Sequence, residues 1–530
     1  MHPQHSDPEE RPASPPAPVL TAGQAGALRA DLEASGWSVD AVAALLGPVA
    51  EAALRRELRL PALRVLRAAL DRAEGRAPSP AVVLTALFML GEPVPGAALD
   101  AAWPNTGAAG AAAIGLVTAP DATGLVRPLV DLRPHEAHDD AGPVRWWVAS
   151  DVGELVSGRA LAPDHVLGIG GAGLTLAGLT PRAPVGSALD LGCGCGIQTL
   201  YLLRHAEHVT ATDISARALA FTAFNTALAG ADPRRLELLG GSFLEPVAGR
   251  AFDLIATNPP FVITPPAVRR AGLALMEYRD AGGPVLPGLL PGLGEHLSPG
   301  GTAVMLGNWE HRRGQDWRER VAAWLPDDVD AWVVQREAQD PVEYAAMWLR
   351  DGGTTVERDP AAFEGALGAW IADFEARGVE AVGMGYLIMH RPRTRRETWR
   401  LLEEVDTRPA GPLGAHVLTV LEASGRLVAM SDQEVADLHP VVAPDVTEER
   451  HLLPGQTEPT VILIRQGGGF ARVLRASTAL TALVEVADGE LSVGQVATAL
   501  AALTGADDRA LRAELVAATR ELARMGIVRV

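Results

Sequence analysis

The sequence has no lysine, only two cysteines and no long apolar run, and each of these absences excludes a class of protein. Cys193 and Cys195 are separated by a single residue, which is too close for an ordinary structural disulfide. Two cysteines are also too few for most zinc frameworks. The most hydrophobic run, Ala81 to Leu90, is about half of what a helix needs to cross a bilayer. We therefore predict a reduced, cytoplasmic protein without a membrane span, a secretion signal or a metal site.

Acidic residues outnumber basic residues by 65 to 46, and the formal net charge is -19. Cations that neutralise phosphates supply nearly all non-specific affinity for nucleic acid, so this excess of acid argues against indiscriminate nucleic-acid binding. Arginine is concentrated in two stretches, one with Arg55, Arg56, Arg59, Arg64, Arg67, Arg72 and Arg76 and one with Arg391, Arg393, Arg395, Arg396 and Arg400. The first stretch is interpreted as a solvated helix face. The second is interpreted as a solvated linker between domains, with contact to RNA or to an acidic protein as the alternative.

The length of 530 residues suggests about three domains. Residues 1–19 are rich in proline and acid and are predicted to be a disordered tail. Residues 20–155 show the apolar spacing of short helices, followed by two strand-like stretches around a polar loop that contains His135 and Asp139. This order predicts an N-terminal helical, winged-helix-like domain.

Strands and helices alternate from residue 160 to residue 391. Such alternation implies right-handed crossovers and a mostly parallel sheet covered on both faces, so an α/β domain is predicted here. Residues 400–530 lose the alternation and contain a hairpin signal around residues 467–469, followed by helical segments. They are predicted to form a C-terminal α+β accessory domain of winged-helix type.

A glycine-rich turn follows the first predicted strand of the α/β domain. The strand carries Asp190 near its end, and Gly192, Gly194 and Gly196 lead into a helix that starts at Ile197. Ligands of open α/β sheets bind outside the carboxyl ends of the strands, where glycine lets the backbone approach them closely. A dinucleotide fingerprint would need glycine or alanine where Ile197 stands, so the turn favours another adenosine cofactor over NAD.

The second predicted strand ends at Asp213, 23 residues after Asp190. An acid at this place can accept hydrogen bonds from both hydroxyl groups of a ribose. The alternative is that Asp213 caps the helix that starts near Ala216.

The most specific motif is Asn258-Pro259-Pro260-Phe261, at the end of a strand that begins at Phe252. Two adjacent prolines fix the backbone and leave carbonyl oxygens free to accept hydrogen bonds. The side-chain oxygen of Asn258 and the carbonyl of Pro259 can together accept both hydrogens of a planar NH2 group, while Phe261 stacks on it. This arrangement aims the nitrogen lone pair at an electrophile without a strong general base.

With these residues the chain resembles the class I S-adenosylmethionine-dependent methyltransferases that carry an Asn-Pro-Pro-aromatic motif, and among them the HemK/PrmC-type protein-glutamine methyltransferases. The match covers about residues 164–391. The stretch from Asn258 to Pro266, with Thr264-Pro265 after the motif, looks most like the archaeal and eukaryotic release-factor branch, and Asn225 also fits.

The resemblance implies a Rossmann-like class I methyltransferase sheet and S-adenosyl-L-methionine as the cofactor. It further implies that Asp190 and the three glycines hold the amino-acid part of the cofactor and Asp213 its ribose. By the same resemblance, Ser242 and Phe243 lie at the adenine edge, and Asn258 faces both cofactor and substrate. The implied reaction is methyl transfer to a glutamine side-chain amide of a protein such as a translation factor.

Two departures from the family pattern keep other acceptors open. Phe261 stands where glutamine methyltransferases usually have tyrosine, and phenylalanine is common in relatives that methylate guanine or adenine in RNA. Gly241-Ser242 replaces the usual Gly-Asp, which weakens a hydrogen-bond acceptor for the adenine amino group. The alternatives are therefore a base-amine methyltransferase acting on RNA or DNA and a non-catalytic cofactor-binding protein.

Three weaker signals complete the set. Tyr278-Arg279-Asp280 follows the Asn-Pro-Pro-Phe motif at the distance of a substrate-facing segment, against an ordinary helix end. The glycine-rich stretch 167–173 can cover the cofactor, against a loop that needs positive φ angles. Cys193 and Cys195 are interpreted as small side chains in a tight loop, without a redox role.

Overall fold

The computed structural model describes residues 14–71, 78–158, 161–270 and 284–530. Its N-terminal part is mainly helical and ends in a long hairpin. The helices are α1 (Ala22–Ser35), α2 (Val39–Leu54), α3 (Leu60–Asp71), α4 (Pro80–Leu84, continued by a π-helical turn Thr85–Met89), α5 (Gly96–Ala102) and α6 (Gly107–Ile114), and the strands are β1 (Val94–Pro95), β2 (Leu125–Val126), β3 (Asp131–Asp139) and β4 (Gly142–Ser150).

The hairpin of β3 and β4 corrects the predicted polar loop. The two strands pair from Asp131↔Ser150 to Asp139↔Gly142, so the predicted loop residues lie within β3 and only a two-residue turn remains. The polar side chains are accommodated by distant partners: a ring nitrogen of His135 lies 2.8 Å from the Tyr201 hydroxyl oxygen.

The disordered tail predicted for residues 1–19 extends too far, because residues 14–19 are bonded to the folded part of the chain. The Val19 N–H donates to the Ile114 carbonyl at 3.0 Å, and the Ser14 hydroxyl donates to Asp164 at 3.0 Å. These bonds tie residues 14–19 to α6 and to Asp164, which offsets the entropy cost of ordering them. Residues 1–13 lie outside the described part of the chain.

The middle of the chain forms one eight-stranded sheet. Its strands are β5 (Val185–Leu191), β6 (Ala206–Asp213), β7 (Leu236–Gly240), β8 (Phe252–Thr257), β9 (Leu297–Arg312), β10 (Asp330–Gln339), β11 (Val379–His390) and β12 (Arg400–Glu404). The helices between them are α7 (Glu154–Ser157), α8 (Gly171–Leu179), α9 (Ile197–Leu202), α10 (Ala216–Leu228), α11 (Pro266–Arg270), α12 (Leu286–Glu295), α13 (Trp317–Ala322), α14 (Pro341–Asp351) and α15 (Pro360–Ala376), with 3-10 turns at Pro233–Arg235 and Glu245–Val247.

The sheet has the order β12-β10-β11-β9-β8-β5-β6-β7, in which β11 runs antiparallel to both neighbours and the other pairs are parallel. One face is covered by α8 and by a helix of the C-terminal part, and the other by α12 and α13. The N-terminal helices pack on α9 and α10. The α/β prediction is confirmed, with two covered faces as the alternation of elements indicated.

The sheet extends beyond the predicted end at Arg391. Strand β12 pairs parallel with β10 from Ala331↔Arg400 onward. The segment before it is held to the sheet, because Arg396 donates to the buried Asp330 at 2.9 Å and Trp399 is buried. Residues 400–404 therefore belong to the sheet, and the preceding residues are held against it rather than forming a solvated linker.

The C-terminal part has its own apolar core and a small antiparallel sheet in the order β14-β15-β16. Its helices are α16 (Gly414–Leu427), α17 (Asp432–Ala436), α18 (Thr478–Glu485), α19 (Val493–Thr504) and α20 (Asp508–Arg524), and its strands are β13 (Val441–Val442), β14 (Val446–His451), β15 (Val461–Gln466), β16 (Val473–Arg475) and β17 (Val528–Arg529). The predicted hairpin is present as β15 and β16. Helix α16 packs on the large sheet through Val417 and Val420.

Among the described residues, no single helix is both long and apolar enough to cross a membrane. Helices α1 and α2 meet that requirement only when taken together, as a pair bent by 48°.

Candidate functional site

The sequence motifs meet at one edge of the large sheet. Strands β5, β6, β7 and β8 are parallel and end level with one another, with Leu191 paired to both Thr212 and Thr257. The residues just beyond these ends are the turn of residues 192–196, here called the glycine loop, and Asp213 and Asn258. Because β6 and β8 are two strand spacings apart, Asp213 and Asn258 are separated by about 10 Å across the glycine loop.

The three glycines of the glycine loop have positive φ angles of 79°, 55° and 82° at Gly192, Gly194 and Gly196. A Cβ at Gly192 or Gly194 would meet nothing within 4 Å, whereas one at Gly196 would lie 2.9 Å from the Thr222 hydroxyl. The first two glycines therefore leave backbone open at the edge, and the third allows close packing against α10. Their φ angles make any other residue strained at all three places.

Asp213 holds the glycine loop in place. One carboxylate oxygen accepts from the Gly194 N–H at 3.0 Å and the other from the Ser215 N–H at 2.9 Å. Helix α10 is capped instead by Ser215, whose hydroxyl accepts from Ala218, so the capping alternative for Asp213 is wrong. Burial raises the pKa of Asp213, and Ile214 beside it is 67% exposed.

Asp190 lies beneath the glycine loop and is 1% exposed. The Thr199 hydroxyl donates to its carboxyl group at 2.5 Å. Burial, with a smaller contribution from the negative charge of Asp213, raises the pKa of Asp190 to about 7. In this conformation the carboxyl group contacts α9 rather than solvent.

Ser242 and Phe243 follow β7 next to the ribose-binding candidate. The Gly241 N–H donates to the Asp213 carbonyl at 3.0 Å, and the Ser242 carbonyl accepts from Glu245 at 3.1 Å. Phe243 has a φ of 45°, which is uncommon for a residue other than glycine. Both side chains are partly exposed at the edge.

The Asn-Pro-Pro-Phe motif begins the loop of residues 258–265, here called the acceptor loop. The Thr257 hydroxyl donates to the Leu191 carbonyl at 2.8 Å and so fixes the end of β8 to β5. The side-chain oxygen of Asn258 is buried and has no hydrogen-bond partner among the described residues. A buried acceptor without a partner is unfavourable, so this oxygen is suited to an N–H from a bound group. Pro259 is buried, and Pro260 and Phe261 are partly exposed.

Asn225 joins the N-terminal hairpin to the glycine loop. Its side chain is fully buried in α10, accepts from the Ala149 N–H at 2.8 Å, and donates to the carbonyls of Ala149 and Cys195, both at 2.8 Å. The position of the glycine loop therefore depends on β4 of the N-terminal part as well as on the large sheet.

Two residues near the acceptor loop were missed by the sequence reasoning. The Tyr344 hydroxyl oxygen accepts from the Ile263 N–H at 3.0 Å, and the rings of Phe261 and Trp348 are in contact with centroids 6.4 Å apart. Both residues lie on α14, for which no element was predicted. Their only signal in the sequence is a capped amphipathic stretch after Asp340 and Pro341, which does not reveal what it packs against.

The weaker signals have mixed outcomes. Tyr278-Arg279-Asp280 lies outside the described residues. None of the glycines at 168, 170, 171 and 173 has a positive φ, so the conformational alternative for that stretch is wrong. Its Gly173 carbonyl accepts from Gln198 of α9 at 2.6 Å, close to the glycine loop.

Neither cysteine has the surroundings of a reactive thiol. Both thiols are free and buried, and burial raises the pKa of Cys193 and of Cys195, which disfavours the reactive thiolate. No group of three or more potential ligands that could hold a metal ion occurs in the described part of the chain.

Most of the arginines in the two predicted clusters are paired within the protein. Arg59 and Arg67 bind Glu92. Arg391 binds Asp328, Arg396 binds Asp330, and Arg400 donates to backbone carbonyls. These contacts agree with a structural use of the arginines rather than with an open phosphate-binding surface.

A mostly parallel sheet of this order, with a glycine loop, an acid after the second strand and an Asn-Pro-Pro-aromatic motif after the fourth, has the class I methyltransferase fold. Residues 170–277 match the family model described as "Methyltransferase small domain". The resemblance to class I S-adenosylmethionine-dependent methyltransferases is therefore confirmed for this part of the chain, whereas the release-factor branch within that class stays a prediction. Residues 34–128 match a separate model described as a domain of unknown function.

Curated relatives are similar to part of this chain. The ribosomal RNA small subunit methyltransferase C of Alcanivorax borkumensis is 37% identical over 14% of this chain and 22% of the relative. The release factor glutamine methyltransferases of Xylella fastidiosa and Moorella thermoacetica are 35% and 32% identical over 23% and 26% of this chain. The match spans 46% and 52% of those two relatives, so it covers about half of their length.

Among solved structures, the 16S rRNA N2 G1207 methyltransferase of T. thermophilus, in complex with AdoMet and guanosine, matches at 18% identity and a TM-score of 0.25. The match covers 39% of this chain and 52% of that chain.

Proposed function

We propose that the protein is an S-adenosylmethionine-dependent N-methyltransferase that methylates a planar NH2 group, most specifically the side-chain amide of a glutamine in a protein. The observation that carries this proposal is the buried, unpartnered oxygen of Asn258 at the carboxyl end of β8. Its failure to find a partner in the described protein is explained if an N–H of the substrate binds there.

The cofactor half of the edge fits S-adenosylmethionine. The open positions at Gly192 and Gly194 leave room for the amino-acid part of the cofactor, with Asp190 below them. In this proposal Asp213 accepts from the ribose hydroxyls, and Ile214, which is exposed, offers an apolar surface to a flat base. Ser242 and Phe243 would lie at the edge of the adenine.

S-adenosylmethionine, when bound, supplies an electrophilic methyl group. The residues of the chain orient the acceptor: the Asn258 side-chain oxygen and the Pro259 carbonyl accept the two N–H groups, and Phe261 packs on the planar group. With both hydrogens held in the plane, the nitrogen lone pair points out of it toward the cofactor. The same two oxygens stabilise the positive charge that develops on nitrogen during transfer.

A protein acceptor is favoured over a nucleic acid by the charge of the chain and by the pairing of its arginines. The net charge is -19, and Arg59, Arg391 and Arg396 bind carboxylates of the same chain. A surface that binds successive phosphates would need arginines that are not already paired with carboxylates of the chain. The release factor glutamine methyltransferases among the relatives agree with this choice.

A base amine of RNA is the second candidate. Phe261 at the tyrosine position and the rRNA methyltransferase relative favour it. Salt dependence separates the two candidates, because each phosphate contact on a single strand adds about -0.7 to the slope of log affinity against log salt. We expect a shallow slope, and one steeper than about -3 would favour RNA.

The proposal is tested by transfer of labelled methyl from S-adenosylmethionine into a fractionated cell lysate. We expect label in the protein fraction with the wild type and little label with Asn258→Ala. Label confined to RNA would establish the second candidate. Binding of the cofactor without transfer to either fraction would favour the non-catalytic alternative.

A further inference from the structure

Residues 340–378, here called the insertion, connect two neighbouring strands of the sheet. Strands β10 and β11 are antiparallel and already pair at Gln339↔Val382. A two-residue turn is enough to join an antiparallel pair, so the sheet does not require the two helices α14 and α15 that stand here. Since β10 is parallel to β8, the insertion leaves the sheet at the edge that carries Asn258.

The insertion is packed on the acceptor loop. Val262, Ile263 and Val268 share one apolar core with aromatic residues of α14 and α15, which are Tyr344, Phe363, Trp370 and Phe374. Tyr344 is fully buried, and its hydroxyl oxygen accepts from the Ile263 N–H at 3.0 Å and from the Asn308 side chain at 2.6 Å. The conformation of the acceptor loop is therefore set by α14 together with β8.

Trp348 brings the insertion to the aromatic residue of the motif. Its ring lies edge to face with Phe261, with centroids 6.4 Å apart and planes at 76°. It also contacts Tyr344, with centroids 6.1 Å apart. Both Phe261 and Trp348 are partly exposed, and Phe261 lies three residues after Asn258 in the acceptor loop.

The far end of the insertion is held by another part of the chain. Arg358, in the turn between α14 and α15, forms an ion pair with Glu154 of α7. The backbone of the same short helix accepts from Arg59 of the N-terminal part, at 3.4 Å to the Leu155 carbonyl. The insertion is thus fixed at both ends and presents Trp348 in a defined position.

We propose that the insertion is the element that selects the methyl acceptor and that Trp348 is a specificity-determining residue of the site. This inference rests on the proposed function, because it concerns the group that binds beside Asn258. The edge-on ring of Trp348 limits the surface of Phe261 that a bound group can reach. A glutamine amide on its extended stem fits such a surface, whereas a two-ring base needs a broader face for stacking.

The test compares Trp348→Ala and Trp348→Phe with the wild type and with Trp324→Ala. Trp324 is a matched control because it is also a partly buried tryptophan of the same domain but packs near α13, away from the acceptor loop. Each protein is assayed for cofactor affinity by calorimetry, for melting temperature, and for initial rate of labelled methyl transfer as the concentration of lysate protein is varied.

We expect Trp348→Ala to bind S-adenosylmethionine within about twofold of the wild type but to need at least about tenfold more lysate protein for half-maximal rate, since an aromatic anchor is lost. Trp348→Phe should recover most of that loss. A merely structural role would instead change the melting temperature and cofactor affinity, with no rescue by phenylalanine.

The failures of the inference and of the proposed function differ in the assay. If the wild type labels protein and Trp348→Ala does so with the same half-saturation as Trp324→Ala, the inference is wrong and the proposed function stands. If the wild type labels only RNA or neither fraction, the proposed function is wrong. The inference that the insertion selects an amide is then wrong as well.

Discussion

On the cofactor side of the sheet edge, β5 and β6 end in backbone turns whose shape comes from glycine and from two acids. On the acceptor side, β8 ends in a loop whose shape depends on side chains from α14, far along the chain. The Gly194 N–H binds Asp213, 19 residues away, whereas the Ile263 N–H binds Tyr344, 81 residues away. Apart from the contact of Asn225 with Ala149 of β4, local sequence therefore builds the turns of the cofactor half, whereas long-range packing builds the acceptor loop.

This difference agrees with the two binding tasks of a methyltransferase, which are to bind a constant cofactor and a variable acceptor. A cofactor shared by a whole class can be bound by a short motif, because its chemistry does not vary. An acceptor that differs between enzymes needs a surface that can change independently of the sheet. Here the insertion supplies that surface without disturbing β10 and β11, which pair across its base.

The largest expected effect is on turnover in the acceptor half. Asn258→Ala should lower the rate of methyl transfer by about 100-fold or more, since it removes orientation and charge stabilisation of the NH2 group. Cofactor affinity should stay within about twofold, because the proposed cofactor contacts are at the ends of β5 and β6 rather than at Asn258. Single-turnover kinetics with labelled cofactor measure the rate, and a near wild-type rate would show that the acceptor binds elsewhere.

The next largest effect is on binding in the cofactor half. Asp213→Ala should weaken S-adenosylmethionine binding at least about tenfold, because each hydrogen bond to a charged group contributes about 1.5–3 kcal/mol. Asp232→Ala is the control, since Asp232 is a partly exposed acid that caps a 3-10 turn after α10. Calorimetry checks both variants, and an unchanged affinity in Asp213→Ala would remove the ribose assignment.

A smaller effect is expected on the free energy of unfolding when the acceptor half is changed. Tyr344→Phe leaves the Ile263 N–H and the Asn308 amide without their buried acceptor, which should cost about 1–3 kcal/mol of the free energy of unfolding. Methyl transfer should fall while cofactor affinity is kept. Urea unfolding compares it with Tyr386→Phe on β11, and equal stabilities for the two variants would contradict the role of Tyr344 in holding the acceptor loop.

A pH dependence of stability is also expected in the cofactor half. Burial raises the pKa of Asp190 from 3.8 to about 7. Between these two pH values the folded protein keeps a proton on Asp190 that the unfolded chain has released. The contribution of Asp190 to stability is therefore complete below the unfolded pKa and is lost as pH rises through 7. Asp190→Asn cannot ionise, so the stability of the wild type relative to this variant should decrease between pH 4 and pH 8 in urea unfolding. A constant difference would mean that Asp190 is not buried as a neutral acid.

The cofactor half was largely predictable from the sequence. Strand β5, the glycine loop and α9 are contiguous, and helix α10 starts at the predicted Ala216. Each signal needed only about ten residues of context, since strand ends, glycine turns and helix starts are local features. Family resemblance supplied the roles that spacing alone left open.

The rest depends on contacts between distant residues. Strand β3 was read as a polar loop because the partners of His135 and Asp139 are Tyr201 and two arginines of the large sheet domain. Strand β12 is recognisable only through its pairing with β10. The insertion was missed for the same reason, because the contacts of Tyr344 and Trp348 with the acceptor loop are not visible in their local sequence.

The central claim is tested most directly by the chemical identity of the transferred methyl group. An N-methylated side-chain amide releases methylamine on acid hydrolysis, whereas a methylated base does not. We expect protein labelled by the wild type to release most of its label as methylamine, and protein treated with Asn258→Ala to carry little label. Recovery of the label in methylated nucleosides, or in protein that releases no methylamine, would contradict the assignment of a glutamine amide to this site.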